Sequence, residues 1–364
     1  MAPIALALQA AGHQVAFATT PDYCRHIAAH GFDCFRIGID DVERDMMVSG
    51  PPDKPNQAAS IWVNLFINAR ATECLADLVT ICDAWHPSLI VREISEFGGC
   101  LVAERLGIPH VAVQVSGFRP HLHQLIADPL NRLRHSLGLP PDPDLRMLYR
   151  HMLLSPMPAS YHQGLDLPET TLAIQNIPFD SDGQELPDWI AQLPERLTVY
   201  ASLGTAYNRS ADVFDAILSA VRLEPVNLIL TVGEGLDPSS FGPQLPHIHI
   251  ERYIPQSLLF EHCHAVITHG GFGTVTTALA FGLPMVIIPI AADQPANAQR
   301  CAKLGVARVV EPDRRTPQTI RDAVGDILTK RDFRENATRM QAEMLALPRL
   351  DIVVRQLERL ANER

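Results

Sequence analysis

Short apolar runs alternate with helix-forming segments along almost the whole chain, and this rhythm constrains the fold more than any other feature. In the N-terminal half, runs such as residues 15–18 and 110–113 are separated by amphipathic segments with helical spacing. A second series of the same kind begins at residues 197–201 and continues to residue 310. Strands that alternate with helices favour parallel sheets covered on both faces. The sequence therefore predicts an α/β protein with two doubly wound, Rossmann-like domains.

The length of 364 residues allows two domains of ordinary size, each with its own hydrophobic core. Between residues 114 and 178 the alternation loosens and prolines become frequent, as expected for an adaptable substrate wall followed by a linker. We therefore place an N-terminal domain, linker included, at residues 1–178 and a C-terminal domain at residues 179–345. Residues 346–364 are predicted to form a helix that packs back on the N-terminal domain.

The charge balance and hydropathy exclude two classes of partner. There are 41 Asp and Glu residues against 30 Lys and Arg, and no basic run is present that would follow a nucleic-acid backbone. The longest apolar stretch, residues 282–292, is about half of the ~20 residues that a membrane helix needs. The sequence also shows no export signal. It predicts a cytoplasmic protein with no nucleic-acid partner and no membrane span.

The seven cysteines form no Cys-x-x-Cys pair, and this scatter predicts reduced, mostly buried thiols. A metal site must be considered where Cys263 and His264 lie between His262 and His269. Adjacent residues on a strand point to opposite faces, however, and the usual zinc spacing is missing. No metal site is predicted.

A glycine-rich turn interrupts the C-terminal series. The apolar run at residues 264–268 stops at His269, and a helix-forming run starts near Thr274. The free N–H groups and the positive dipole end at the start of such a helix bind anions, most simply a diphosphate. The alternative is a turn that serves packing alone. Three glycines in the turn would let phosphate oxygens approach the backbone: Gly270, Gly271 and Gly273.

Two further polar loops follow strands of the same series. Ser202 and Thr205 carry hydroxyls that can donate to a phosphate, although a turn that caps its own helix is an equal alternative. Asp293 and Gln294 offer a carboxylate and an amide for vicinal sugar hydroxyls. An N-cap for the next helix is the alternative role for this pair.

A third loop carries Tyr253, Ile254 and Gln256. The tyrosine can stack on a nucleobase while the glutamine, or the backbone of Ile254, bonds to the edge of the base; the alternative is a tyrosine buried in the core. All these loops follow strands of one predicted sheet, and ligands of open α/β sheets bind at the carboxyl ends of the strands. The loops are therefore predicted to converge on one nucleotide-sugar pocket.

Together, these motifs resemble those of bacterial glycosyltransferases of the two-domain GT-B type, which decorate antibiotic and other natural-product aglycones. The resemblance covers essentially the whole chain. It implies two small-molecule partners, a nucleotide sugar and a hydrophobic acceptor. The motifs that carry it are His269-Gly270-Gly271-x-Gly273-Thr274, Gly282-x-Pro284, Asp293-Gln294, Ser202-x-Gly204-Thr205 and Tyr253-x-Pro255-Gln256.

The resemblance implies a role for each loop of the donor site. The diphosphate is held by His269 and residues 271–274, with help from the Ser202 and Thr205 loop. The Tyr253 and Gln256 loop holds the base, and the Asp293 and Gln294 loop reads the sugar. No metal or other cofactor is implied, because the helix dipole and His269 balance the charge of the leaving diphosphate.

Two positions depart from the family pattern. Tyr253 stands where relatives often have Trp, and Thr277 stands where many have a Glu that contacts a ribose hydroxyl. A missing Glu suits a nucleoside without a 2′-hydroxyl. The sequence therefore favours a dTDP-deoxysugar over a UDP-sugar.

The resemblance also implies a first strand and a loop with the general-base histidine, both ahead of the helix at residues 3–11. The chain opens inside that loop, so the first strand of the N-terminal sheet is expected to be missing. Its loss leaves residues 15–18 and residues 89–91 each without a ladder partner. We therefore expect the natural start to lie upstream, where an in-frame segment would encode a strand and Gly-x-x-His.

Without that histidine, Glu93 and Glu96 are the candidates to accept the proton of the acceptor hydroxyl in the cleft between the domains. The alternative for this pair is a surface ion pair with Arg92. His121 and His123 are further candidates in the acceptor-side loop, or ordinary loop histidines.

The predicted function is that of an inverting glycosyltransferase, which moves a (deoxy)sugar from a dTDP or UDP donor to a hydrophobic natural-product aglycone. The alternative is a catalytically impaired nucleotide-sugar-binding or helper protein. A sugar-nucleotide epimerase of the same fold is a third hypothesis. The sequence leaves open the sugar, the aglycone and the oligomeric state, a homodimer included.

Overall fold

Every strand pairing is parallel in the computed structural model, which describes residues 1–38, 63–119, 122–180, 184–204 and 210–363. Helices connect most successive strands. A parallel sheet covered by helices is the predicted α/β architecture, which is thus confirmed.

The described strands and helices are short, as in most α/β proteins. The strands are β1 (Ala16–Thr19), β2 (Asp33–Arg36), β3 (Ile90–Glu93), β4 (His110–Val113), β5 (Met152–Ser155), β6 (Thr171–Ala173), β7 (Leu197–Ser202), β8 (Val226–Thr231), β9 (Ile248–Glu251), β10 (Ala265–Thr268), β11 (Met285–Ile287) and β12 (Ala307–Val309). The α-helices are α1 (Ala2–Ala10), α2 (Pro21–Ala29), α3 (Thr72–Trp85), α4 (Gly98–Leu106), α5 (His123–Ser136), α6 (Ala211–Val221), α7 (Gln256–Leu259), α8 (Phe272–Ala280), α9 (Gln294–Lys303), α10 (Pro317–Thr329), α11 (Arg331–Leu345) and α12 (Leu350–Asn362).

The chain divides into two units. The first contains Met1–Pro156, Gly164–Ile174 and Pro348–Arg364, and the second contains Met157–Gln163 and Gln175–Leu347. The last helix, α12, therefore belongs to the unit built mainly from N-terminal residues.

The first unit contains two parallel sheets instead of one. Their strand orders are β1-β2 and β3-β4-β5-β6. Among the described residues, β1 pairs only with β2 and β3 pairs only with β4. The N-terminal sheet is thus interrupted at the two strands predicted to lack a ladder partner.

Two helices from opposite ends of the chain cover the larger sheet of the first unit. Ile4 of α1 and Val353 and Leu357 of α12 are buried in one cluster with Val111 and Leu154, which lie on β4 and β5. α12 has a strongly one-sided apolar face, and this face supplies its contribution to the cluster.

The region between residues 114 and 178 is more regular than predicted, because it contains α5, β5 and β6. All four residues of β5 are buried, and β6 has only three residues. Runs of this length show neither the period of a helix nor that of a strand, so periodicity does not reveal them.

The prediction for the cysteines is wrong at two positions. Cys24 on α2 and Cys34 on β2 are joined in a disulfide with a Cα–Cα distance of 5.6 Å. The return of the chain from helix to strand brings these two residues together across 10 positions, a spacing that matches no short motif. The other five cysteines are free thiols, four of them buried.

The spacing of apolar residues predicts a helix at residues 57–85, after a proline-rich loop at residues 40–56. Part of this helix is observed. The chain is helical from residue 63, with a π-helical stretch at Asn64–Ala71 that continues directly into α3. The loop predicted at residues 40–56 and the helix start at residues 57–62 lie outside the described residues.

The second unit contains a six-stranded sheet in the order β12-β11-β10-β7-β8-β9. Alternate residues of β7 enter different cores: Tyr200 is buried in the cluster on one face, and Val199 and Ala201 are buried in the cluster on the other. The strand order reverses between β7 and β10. Such a reversal opens a crevice at the carboxyl ends of the two strands.

Candidate functional site

The glycine-rich turn lies at this point of reversal. Thr268, the last residue of β10, is in register with Ser202, the last residue of β7. The turn that carries His269 and the loop that carries Gly204 therefore leave the sheet side by side. This placement brings two of the predicted donor-site loops together.

Helix α8 presents its N-terminus at the turn. It begins at Phe272, two residues earlier than predicted. Gly271 is the N-cap, because its backbone angles are extended and not helical. The N–H groups of the first turn, which includes Gly273 and Thr274, have no acceptor within the helix. They and the helix dipole are suited to bind an anion, and we call this place the anion position.

The three glycines of the turn serve different purposes. Gly270 has a φ of +88°, and a Cβ there would lie 2.7 Å from Ile287. A Cβ on Gly271 would lie 2.5 Å from Nε2 of His269. A Cβ on Gly273 would meet nothing within 4 Å. Gly270 and Gly271 are thus required by the turn itself, and Gly273 leaves space above the helix N-terminus.

His269 fills the gap between the two loops. Its ring lies 2.5 Å from the position that a Cβ on Gly204 would take, and it contacts the Gly271 position on the other loop. Burial lowers the pKa of His269 to about 4, although the Asp293 carboxylate acts in the opposite direction. The imidazole is therefore neutral near neutral pH, and the helix N-terminus supplies the positive potential of the site. A bound dianion would raise this pKa.

Tyr253 presents an exposed aromatic ring in the loop that leads to Gln256. Half of the residue, 51%, is accessible, which disfavours a role as core. The Tyr253 hydroxyl donates to the carbonyl of Asp180 at 2.7 Å. Gln256, three residues further on, donates from Nε2 to the Thr274 hydroxyl of α8 at 3.4 Å. The loop that carries Tyr253 is therefore connected to the anion position through Gln256 and Thr274. Ile254 of the same loop is buried.

The Asp293 loop is held by its own side chains. Oε1 of Gln294 accepts the N–H groups of Ile290 and Ala291, both at 2.8 Å, and Gln294 is buried. Ala292 has a φ of 57° in the turn between them. This placement favours a role for Gln294 in shaping the loop, and direct contact with a sugar stays a prediction.

Asp293 is more accessible, and Asn297 fixes its carboxylate. Nδ2 of Asn297 donates to Oδ2 of Asp293 at 3.0 Å and to the carbonyl of Gly270 at 2.9 Å. Within the described residues, the Asp293 side chain makes no capping bond to the start of α9. Asn297 thus ties the Asp293 loop to the glycine turn. The sequence gives no local signal for Asn297, which lies inside a helix.

The Ser202 loop favours the turn alternative. Ser202 is buried, and its hydroxyl accepts the N–H of Gly204 at 3.3 Å. Thr205 lies outside the described residues, so its predicted contact with a phosphate stays a prediction.

The two candidate bases in the first unit have different surroundings. Both carboxylate oxygens of Glu96 accept the N–H of Gly99, at 2.8 and 2.9 Å, near the start of α4. Glu93 accepts the N–H of Ser95 at 2.9 Å. Burial raises the pKa of Glu93 to about 7, with the Ser95 N–H acting in the opposite direction, and burial also raises the pKa of Glu96. Glu96 is thus a helix cap, and Glu93 titrates near neutral pH.

Arg92 forms no ion pair with either glutamate in the part of the chain that the structure describes. It is 3% exposed, and it donates to the carbonyls of Glu93 at 3.2 Å, Glu96 at 3.1 Å and Leu148. The surface ion pair considered from the sequence is absent there, and Arg92 instead holds the loop between β3 and α4.

Of the two candidate histidines, His121 lies outside the described residues. The ring of His123 packs against Tyr149 at 6.0 Å and Phe118 at 6.4 Å between centroids. These contacts place it in an aromatic cluster of the first unit.

Two features are absent from the described residues. No group of three or more His, Cys, Asp and Glu side chains there is arranged to hold a metal ion. No described helix has the length and apolar content needed to cross a membrane.

Two parallel α/β units, the second with an anion position at its strand reversal, define the GT-B class of glycosyltransferase fold. Comparison with a solved structure supports this class. The glycosyltransferase VinC in complex with dTDP matches with a TM-score of 0.81 and 24% sequence identity, over 100% of this chain and 96% of that one.

Family models identify the chain more closely. The N-terminal domain model of the erythromycin biosynthesis protein CIII-like family matches residues 6–204, and the C-terminal domain model matches residues 227–360. The chain belongs to this family of natural-product glycosyltransferases.

Named relatives align over nearly the full chain. The 10-deoxymethynolide desosaminyltransferase of Streptomyces venezuelae is 25% identical over 100% of this chain and 94% of its own length. The aclacinomycin-T 2-deoxy-L-fucose transferase of Streptomyces galilaeus is 26% identical over 99% of this chain and 92% of its own length.

Proposed function

We propose that this glycosyltransferase moves a deoxysugar from a dTDP donor to a hydroxyl group of a hydrophobic natural-product aglycone, with inversion at the anomeric carbon. The connected donor site carries the proposal: an exposed Tyr253 ring for the base, joined through Gln256 and Thr274 to the N-terminus of α8 for the diphosphate. The names of the two relatives and the dTDP held by VinC support it.

The proposed reaction is a direct displacement. The acceptor oxygen forms a bond to the anomeric carbon as the bond from that carbon to the diphosphate oxygen breaks, and the electron pair leaves with dTDP. Amides at the start of α8 and the His269 imidazole bind the negative charge that develops on the diphosphate. Glu93 takes the proton of the acceptor hydroxyl. No metal ion is needed in this scheme, so turnover should be unchanged by a chelator.

Transfer assays test the proposal. The chain is incubated with an aglycone panel and either dTDP-deoxysugars or UDP-sugars, and products are analysed by mass and anomeric configuration. We expect a glycoside of inverted configuration from dTDP donors. Donor binding without turnover would favour the nucleotide-sugar-binding helper. Formation of a new sugar nucleotide without an acceptor would favour the epimerase.

Thr277 provides a test of donor choice. It lies one turn into α8, where its hydroxyl donates to the Gly273 carbonyl at 3.0 Å. A carboxylate at this position would accept a ribose 2′-hydroxyl, which dTDP lacks. We expect Thr277→Glu to strengthen UDP binding relative to dTDP by about 10-fold, the effect of one hydrogen bond to a charged group.

The measurement is calorimetric titration of UDP and of dTDP into the unaltered chain and into Thr277→Glu. Thr329→Glu is a suitable control, because Thr329 also bonds back to a carbonyl of its own helix, at the end of α10. A constant ratio of UDP to dTDP affinity in Thr277→Glu would contradict the assignment of the ribose position.

A further inference from the structure

Asp180 contacts two parts of the loop that carries Tyr253. Its carbonyl oxygen accepts the Tyr253 hydroxyl at 2.7 Å, and its carboxylate Oδ2 accepts the N–H of Ser257 at 3.1 Å. Ser257 is the second residue of α7, the helix that begins with Gln256. One residue therefore fixes both the aromatic ring and the first turn that presents the glutamine.

The side chain and the main chain of Asp180 act together. The bond from Ser257 to the carboxylate holds residue 180 against α7, and this in turn sets the position of the carbonyl that receives the Tyr253 hydroxyl. Without this hydroxyl bond, a ring that is half exposed has few other constraints on its orientation.

The arrangement is poor as a device for stability alone. Within the described residues, Oδ1 of Asp180 and Oγ of Ser257 are buried and have no hydrogen-bond partner. Buried polar atoms without partners are unfavourable and cluster where function requires a particular geometry. The unpaired atoms therefore favour a role for Asp180 in positioning the Tyr253 loop over a role in stability alone.

We propose that Asp180 is a positioning residue for recognition of the donor nucleobase. It holds Tyr253 and Gln256 in the orientation that receives the base, and neither of its two bonds goes to His269 or to α8. The proposal rests on the proposed function, in which Tyr253 stacks on the base of a nucleoside diphosphate.

The two halves of the donor site allow a selective test. Thymidine diphosphate (dTDP) would occupy both halves, the base half at Tyr253 and Gln256 and the diphosphate half at α8 and His269. Inorganic diphosphate would occupy only the diphosphate half. Calorimetric titrations of both ligands are made on the full chain and on Asp180→Ala, Asp180→Asn and Asp188→Ala. Asp188 is an exposed carboxylate of the same unit and serves as the matched control.

We expect Asp180→Ala to bind thymidine diphosphate about 10-fold more weakly, as for the loss of one hydrogen bond to a charged group. Its affinity for inorganic diphosphate should be unchanged. Asp180→Asn keeps an oxygen that accepts the Ser257 N–H and should recover most of the lost affinity. In turnover assays, Asp180→Ala should raise KM for the donor and leave kcat within about 2-fold, as for a loss of ground-state binding.

Three results would overturn the proposal: unchanged thymidine diphosphate affinity in Asp180→Ala, equal weakening of both ligands, or no recovery in Asp180→Asn. Circular dichroism checks that each variant is folded. If Asp180→Ala is misfolded, the affinities of Asp180→Asn and Tyr253→Phe for the two ligands test the proposal instead. Tyr253→Phe removes only the hydroxyl. It should weaken the binding of thymidine diphosphate and leave the binding of inorganic diphosphate unchanged. Absence of thymidine diphosphate binding by the unaltered chain would instead count against the proposed function.

Discussion

Replacement of Gly273 by alanine should increase the stability of the protein and at the same time abolish most of its affinity for the donor. Gly273 is the second residue of α8, and a Cβ there meets nothing within 4 Å. Alanine is favoured over glycine in a helix by about 0.5–1 kcal/mol, so the free energy of unfolding should rise by about that amount.

The same methyl group would occupy the space above the helix N-terminus, where we propose that the phosphate oxygens approach the amides. Loss of one or more charge-assisted hydrogen bonds predicts a thymidine diphosphate affinity about 10- to 100-fold weaker. Chemical denaturation measures the stability, and calorimetry measures the affinity.

Two other glycines provide controls for this prediction. A Cβ on Gly325, in α10, also meets nothing within 4 Å, so Gly325→Ala should be more stable and should bind the donor normally. Gly271→Ala places a methyl group against His269 and should lose both stability and affinity. Wild-type affinity in Gly273→Ala would show that the anion does not lie against the start of α8.

The sequence predicts the turn at His269 because its signals are local. A buried apolar run, three glycines and a helix-forming run determine strand, turn and helix within about 20 residues. The division of roles among the glycines cannot be predicted in this way. It depends on which atoms a Cβ would meet, and those atoms belong to Ile287 and to the His269 ring.

The residues that hold the site in place are also hidden from the sequence. Asp180 acts on Tyr253 across 73 positions, and Asn297 acts on Gly270 across 27. Each is a common polar residue in an unremarkable local context, and only the folded chain brings the partners together. The same reason explains the unexpected disulfide of Cys24 and Cys34, whose spacing matches no motif.

Replacement of Glu93 by glutamine should remove most of the turnover without weakening donor binding. General-base catalysis contributes typically about 10²- to 10⁴-fold, and the amide cannot accept the proton of the acceptor hydroxyl. Glu93 lies in the first unit, whereas the candidate contacts to thymidine diphosphate lie in the second. The expected result is therefore a fall in kcat of about 10²-fold or more with an unchanged affinity for thymidine diphosphate.

The pH dependence gives a sharper signature of the same role. Burial raises the pKa of Glu93 to about 7, and the base must be deprotonated, so kcat/KM of the unaltered chain should rise with pH through about 7. This rising limb of the profile of kcat/KM against pH should vanish in Glu93→Gln. It should persist in Glu96→Gln, because Glu96 caps α4, and that variant should lose stability instead. A limb that persists in Glu93→Gln would assign the proton transfer to another group.

The raised pKa of Glu93 also predicts how stability depends on pH. Between about pH 4.5 and pH 7 the folded chain retains a proton that the unfolded chain has lost, so the contribution of Glu93 to stability becomes less favourable as the pH rises and is constant above that range. The difference of the two pKa values corresponds to about 3 kcal/mol at pH 8. Glu93→Gln should be more stable than the unaltered chain by up to this amount at pH 8 and equally stable at pH 4. Denaturation curves at the two pH values measure this difference, and a stability gain that does not change with pH would contradict the burial of an ionised Glu93.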